Sequence, residues 1–199
     1  MGRAHDKEAE PPYDDAGGRL ADLLDRLARV ARGMQFAAGL NPAQWEALRF
    51  VARANRQSRT PGALAAYLCV TKGTASQTLK SLTDKGYVES CRDGDDGRVR
   101  TLAISPAGQD LLSRDPLMAL AAAAGTLDAG HCNTITNTLE TLLQDVQQAQ
   151  GWRAFGACTQ CGHFGRECAS DDGKPHLCGL TGDGLDSQDI RRLCVNFQA

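Results

Sequence analysis

Five of the eight cysteines of this 199-residue chain fall within residues 158–194, a stretch with too few Leu, Ile and Val to build a core of its own. A cysteine group this dense needs a chemical reason: the cysteines are crosslinked, or they hold a metal, or they react. It opens with Cys158-Thr159-Gln160-Cys161-Gly162 and continues with single cysteines at 168, 178 and 194. The N-terminal residues, MGRAHDKEAEPPYDDAGG, carry no apolar stretch of the kind a secretory leader needs. No apolar run approaches the roughly 20 residues of a membrane span. The expected location is therefore the cytoplasm, where thiols stay reduced and clustered cysteines bind metal more often than they form disulfides. Cys69, Cys91 and Cys132 lie far apart in the sequence and are expected to be small packed side chains.

The preceding 150 residues show helical and strand periods in a definite order. Residues 1–17 mix charge, proline and little apolar content, and read as a disordered arm. Leu20, Leu23, Leu24, Leu27, Val30, Ala31 and Met34 then recur at helical spacing. Asn41-Pro42 starts a second helix through Trp45, Leu48 and Val51. Arg59-Thr60-Pro61-Gly62 breaks it, and residues 61–68 form a short third. Thr71 caps a fourth over residues 72–85, which Gly86 ends. A hairpin follows, with strands at 87–91 and 98–104 around a polar turn at 92–97. Ser105-Pro106 opens another helix, which is interrupted at Pro116 and resumes through Ala124. The last helix runs over about residues 128–150 with Leu139, Leu142, Leu143 and Val146 on one face. The expected architecture is mostly α with a small β-wing: residues 18–150 as a winged helix-turn-helix flanked by dimerisation helices. Residues 151–199 form a small cysteine-rich segment, with no helical period before residues 187–194.

The fourth helix and the wing carry the residue types that contact nucleic acid. Thr71, Lys72, Thr74, Ser76, Gln77 and Lys80 can donate to phosphates or read base edges, and the helix start suits a phosphate. Arg98 and Arg100, two apart on a strand, project to one side. Global charge adds nothing, since the net is −2. The order of elements, rather than basicity, is what favours DNA over an ordinary solvated helix and hairpin.

Three stretches carry a family resemblance: Asn41-Pro42-Ala43-Gln44-Trp45-Glu46-Ala47-Leu48-Arg49, the helix from Thr71 with Leu82-Thr83-Asp84-Lys85-Gly86-Tyr87-Val88, and the wing Asp96-Gly97-Arg98 with Leu102-Ala103-Ile104-Ser105-Pro106-Ala107-Gly108. With these the chain resembles the MarR family of bacterial transcriptional regulators over roughly residues 19–150. The resemblance implies a homodimer, built from the first and last helices, that binds a palindromic double-stranded DNA operator as a regulator, with repression the expected mode. It implies recognition helices in adjacent major grooves, wing arginines at the flanking minor groove, and Asp96 orienting Arg98. A small-molecule effector is a further partner of this kind of regulator; no enzymatic activity is expected. The residues after Gly151 are similar only to a C-terminal metal-binding extension seen on some such regulators.

Within that extension the preferred metal ligands are Cys158, Cys161, Cys178 and Cys194, with Cys168 and His176 in reserve. A C-x2-C turn brings two sulfurs together, and the glycine after it is expected to let backbone N–H groups face sulfur. Four thiolates suit tetrahedral zinc or an iron–sulfur cluster, and the sequence leaves the two open, with bare thiols forming reversible disulfides a third course. The metal is expected to modulate DNA binding. The alternative is a redox or electron-transfer protein with the helical domain as scaffold. Neither a Gly-rich nucleotide loop nor a catalytic grouping of His5, His131, His163 and His176 supports that alternative.

Overall fold

A computed structural model describes residues 15–92, 100–168 and 173–198. The chain divides into two units, Met1–Pro42 and Ala43–Ala199. In the first, helix α1 spans Ala16–Met34. It starts earlier than the apolar period suggests because the Asp15 carboxylate accepts the Gly18 N–H at 2.6 Å, a cap that the glycines disguise in sequence. The expected disordered arm thus loses residues 16–17 to the helix, and residues 1–14 lie outside the described residues. No residue of α1 is buried, and Leu20, Leu23, Leu27 and Val30 form an exposed apolar stripe.

The second unit is built around α2 (Pro42–Arg53), α3 (Pro61–Tyr67) and α4 (Lys72–Asp84). Trp45, Leu48, Phe50 and Val51 of α2, Leu64 of α3 and Leu82 of α4 are the largest fully buried helical side chains. Polar contacts fix the α2–α4 crossing: Gln44 donates to Ser81 Oγ at 2.8 Å, and Lys85 donates to Gln44 Oε1 at 3.4 Å. The capping hydroxyls of Thr60 and Thr71 accept the Ala63 and Thr74 N–H groups, each cap worth about 1 kcal/mol.

Strands β1 (Val88–Arg92) and β2 (Arg100–Ile104) pair antiparallel, from Val88 opposite Ile104 to Arg92 opposite Arg100. The wing tip, with Asp96-Gly97-Arg98, lies outside the described residues, so the orienting role expected of Asp96 falls there too. Ser105 locks the wing base to helix α5 (Pro106–Leu112). Its hydroxyl donates to Gly86 O at 2.6 Å and accepts the Gly108 N–H at 3.0 Å. Gly108 has no substitute, because a Cβ there would stand 2.2 Å from Tyr87 O.

Helices α6 (Met118–Ala124) and α7 (Ala129–Ala149) bury no residue. The link before α6 is tied to α2 by Arg49 and Asp115, whose side chains are 15% and 10% exposed and meet at 3.4 Å. The final segment forms a three-stranded antiparallel sheet, β3 (Phe164–Gly165), β4 (His176–Cys178) and β5 (Gly184–Leu185), in the order β3-β4-β5. The helical period expected over residues 187–194 amounts to one 3-10 turn, Asp189–Arg191. Cys69 and Cys91 are exposed and Cys132 is half-buried, so the expectation of packed thiols fails at those positions. Cys69 occupies the tight turn between α3 and α4 at φ 53°, where the backbone rather than a packing need sets the position.

Candidate functional site

Two sites emerge: a polar helix face and a cysteine-lined cavity. On α4 the buried positions are Ala75, Leu79 and Leu82, one helical stripe that seats the helix on the domain. Lys72, Thr74, Ser76, Gln77 and Lys80 are exposed. At 100° per residue, Gln77 and Lys80 lie opposite the buried stripe and point straight outward, while Thr74 and Ser76 flank them. Thr71 differs: its hydroxyl accepts the Thr74 N–H at 3.2 Å and lies 2.9 Å from Thr74 Oγ1, so both hydroxyls are engaged at the helix start. Arg100 is placed on β2 as the last paired residue of the described hairpin, and Arg98 lies outside the described residues.

The second site gathers Cys158, Cys161, Cys178 and Cys194 around one cavity of about 390 Å³. Three pieces of chain bring them there. A 3-10 turn, Cys158–Gln160, folds the C-x2-C motif back so that the Cys161 N–H meets Cys158 O at 2.9 Å. Strand β4 ends at Cys178, and the Cys194 N–H pairs with Gly156 O at 3.0 Å. Cys158 and Cys194 are buried, and Cys161 and Cys178 half-buried. The Gly162 N–H donates to Gln198 O at 2.8 Å and the Gly179 N–H to His163 O at 2.8 Å. Through their own N–H groups these two glycines stitch the segment together. Gly156 must be glycine for another reason: a Cβ would stand 2.5 Å from the Phe197 ring.

Burial, and after it the neighbouring Cys194, Cys178, Cys161 and Asp189, push the Cys158 thiol up to about 11. Left to itself this group stays protonated at neutral pH, and a metal must displace that proton to bind. Cys168 is exposed, donates to Arg166 O at 3.5 Å, and does not line the cavity. His176 accepts the Glu167 N–H at 3.2 Å and packs on Phe164, which lines the cavity, but does not line it itself. Among the described residues, no three His, Cys, Asp or Glu side chains close tightly enough to hold a single ion.

What sequence reasoning missed is the wall supplied from over 100 residues away. Asn55, Arg56 and Gln57, at the 3-10 turn between α2 and α3, line the same cavity. Leu193 pairs with this turn on both sides, its N–H to Arg53 O at 2.9 Å and its carbonyl to the Asn55 N–H at 2.9 Å. The Val195 N–H donates to Ser58 Oγ at 2.7 Å, Asn196 donates to Gln57 Oε1 at 3.1 Å, and Gln57 donates to Asp183 at 2.6 Å. Phe155 inserts edge-on between Phe50 and Tyr67, with ring centroids 6.0 and 5.3 Å away. The cysteine segment is thus docked on the helix-turn-helix rather than hung from it. His163 and Lys174 also line the cavity, and no sequence signal marked either.

Comparison with known proteins accords with this geometry. The family model described as MarR family matches residues 38–99, which hold α2 to the wing turn. An uncharacterised HTH-type transcriptional regulator of Mycobacterium bovis is 31% identical over 100 residues, 49% of this chain and 70% of that protein. A MarR transcriptional regulator from Methanosarcina mazei superposes with a TM-score of 0.54 at 23% identity, over 66% of this chain and 96% of that one. The S. aureus MepR–DNA complex gives 0.53 at 15% identity, over 67% and 97%. No helix among the described residues is long and apolar enough to cross a membrane. On its winged helix-turn-helix and these matches, the chain belongs to the MarR family of transcriptional regulators.

Proposed function

We propose that this regulator works as a homodimer on a specific double-stranded operator, as a repressor in the cytoplasm, and that metal held by the cysteine pocket modulates it. The observation that carries the DNA reading is the division of α4, with Ala75, Leu79 and Leu82 buried and Lys72, Ser76, Gln77 and Lys80 presented outward. A helix seated this way can enter a major groove, with Gln77 reading base edges and Lys80 meeting phosphate or guanine. The DNA complex of the MepR fold relative makes this docking the natural one to test. The homodimer draws support from α1 and α7, which carry exposed apolar stripes and bury nothing in the single chain.

Operators selected from random duplexes give the test. Lys80→Ala should weaken binding about tenfold and lower the slope of log affinity against log salt by about 1. Gln77→Ala should cost about 1–3 kcal/mol of discrimination at one position in each half-site and little elsewhere. Parent-like affinity and selectivity in both variants would rule out α4 as the reading element.

A further inference from the structure

The cavity sorts between the metals that four cysteines can hold. Tetrahedral zinc with Zn–S bonds near 2.3 Å draws its sulfurs to within about 3.8 Å of one another. Among the described residues no three candidate ligands close on a point in that way. Yet all four thiols line a single cavity. The cavity they share with Asn55, Leu180, Asp183 and Leu185 measures about 390 Å³. An inorganic cube with a thiolate at each iron corner needs room of this kind.

A cube ligated by four thiolates is net anionic, and the cavity wall carries both signs, Arg56 and Lys174 beside Asp183 and Asp189. Lys174 is held there by Asp189, its Nζ 2.8 Å from the carboxylate. Two ferrous and two ferric ions with four sulfides make the [4Fe–4S]2+ core with no net redox change, and each thiol releases one proton to solvent as its sulfur–iron bond forms.

We propose that the cavity holds a [4Fe–4S] cluster ligated by Cys158, Cys161, Cys178 and Cys194, and that its presence orders the turn at residues 53–59 and, through it, the wing. The path is one of hydrogen bonds. Leu193 and Val195, on either side of Cys194, bond to Arg53, Asn55 and Ser58. Ser58 is fully buried, and its hydroxyl also donates to Asn55 Oδ1 at 2.6 Å. The next residue, Arg59, accepts the N–H of Leu102 in β2 at 2.7 Å. A cluster that pins Cys194 therefore pins the turn, and the turn holds one strand of the wing. The consequence for an operator rests on the DNA-binding reading above, but the site itself does not.

The test is anaerobic reconstitution of the full chain with equal amounts of ferrous and ferric iron and with sulfide, followed by metal and sulfide analysis, absorption and amide hydrogen exchange. The expected result is about four iron and four sulfide per chain with absorption near ~400 nm. Cys168→Ser should keep both and Cys194→Ser should lose them. Amides at residues 53–59 and 100–104 should exchange at least about tenfold more slowly with the cluster bound. A colourless parent protein carrying one zinc, or a Cys194→Ser variant loaded like the parent, overturns the cluster. Equal exchange with and without it overturns the path to the wing. None of these readings uses DNA, so a failure here is distinct from a failure of operator binding.

Discussion

The double variant Leu143→Glu, Val146→Glu should be monomeric at concentrations where the parent chain is fully dimeric. Leu143 is 57% exposed and Val146 45% in the single chain, and the whole of α7 buries no residue. A 21-residue helix without a buried face is marginal in water, since its propensity barely offsets the cost of ordering it. Its Ile135, Leu139, Leu142, Leu143 and Val146 therefore call for a partner surface, and a two-fold dimer supplies a self-complementary one. Each such side chain contributes about 1.5 kcal/mol when covered and counts in both copies, so the dimer should weaken by several orders of magnitude. Sedimentation equilibrium reads this directly, and far-UV circular dichroism should show α7 fraying at the same time. An unchanged dimer would place the interface elsewhere.

Phe155→Ala should release the cysteine segment while leaving the helix-turn-helix folded. The ring sits between Phe50, which is fully buried, and Tyr67, in a three-ring cluster whose Phe50–Tyr67 pair is itself 4.9 Å apart. Removing a packed phenyl costs about 3–5 kcal/mol, and here the cost falls on docking, because the hydrogen bonds to the 53–58 turn depend on the same alignment. Limited proteolysis should cut residues 152–198 at least about 100-fold faster than in the parent, with α2–α4 protected in both. Cleavage at the parental rate would mean that the hydrogen bonds of Leu193 and Val195 hold the segment unaided.

The parts of the fold that were legible in the sequence are those with local causes. Thr71 and Ser105 are side-chain caps, Pro61 and Pro106 take first helical positions, and each marks a helix start to the residue, while the cap of Thr60 on α3 went unread. The Leu79 and Leu82 stripe told which face of α4 is buried, and with it which side chains point out. The start of α1 escaped because two glycines followed its cap, and glycine argues against a helix interior. The β3-β4-β5 sheet escaped because strands of two or three residues cannot show an alternating period. The docking was beyond any local signal. Ser58 and Val195 lie 137 residues apart, and nothing around Asn55-Arg56-Gln57 says that it walls a cavity whose thiols come from the other end of the chain. The cysteine spacing marked candidate ligands but said nothing of the cavity they share.

The cysteine pocket and the helix α4 proposed to read DNA are expected to communicate. One preparation, divided into cluster-loaded and metal-free halves, should be titrated against the selected operator under anaerobic conditions at fixed salt. The loaded half should bind at least about tenfold more tightly, a coupling of about 1.4 kcal/mol, and Cys194→Ser should bind like the metal-free half. Equal affinity in the two halves, with iron and sulfide confirmed in one of them, would contradict this coupling.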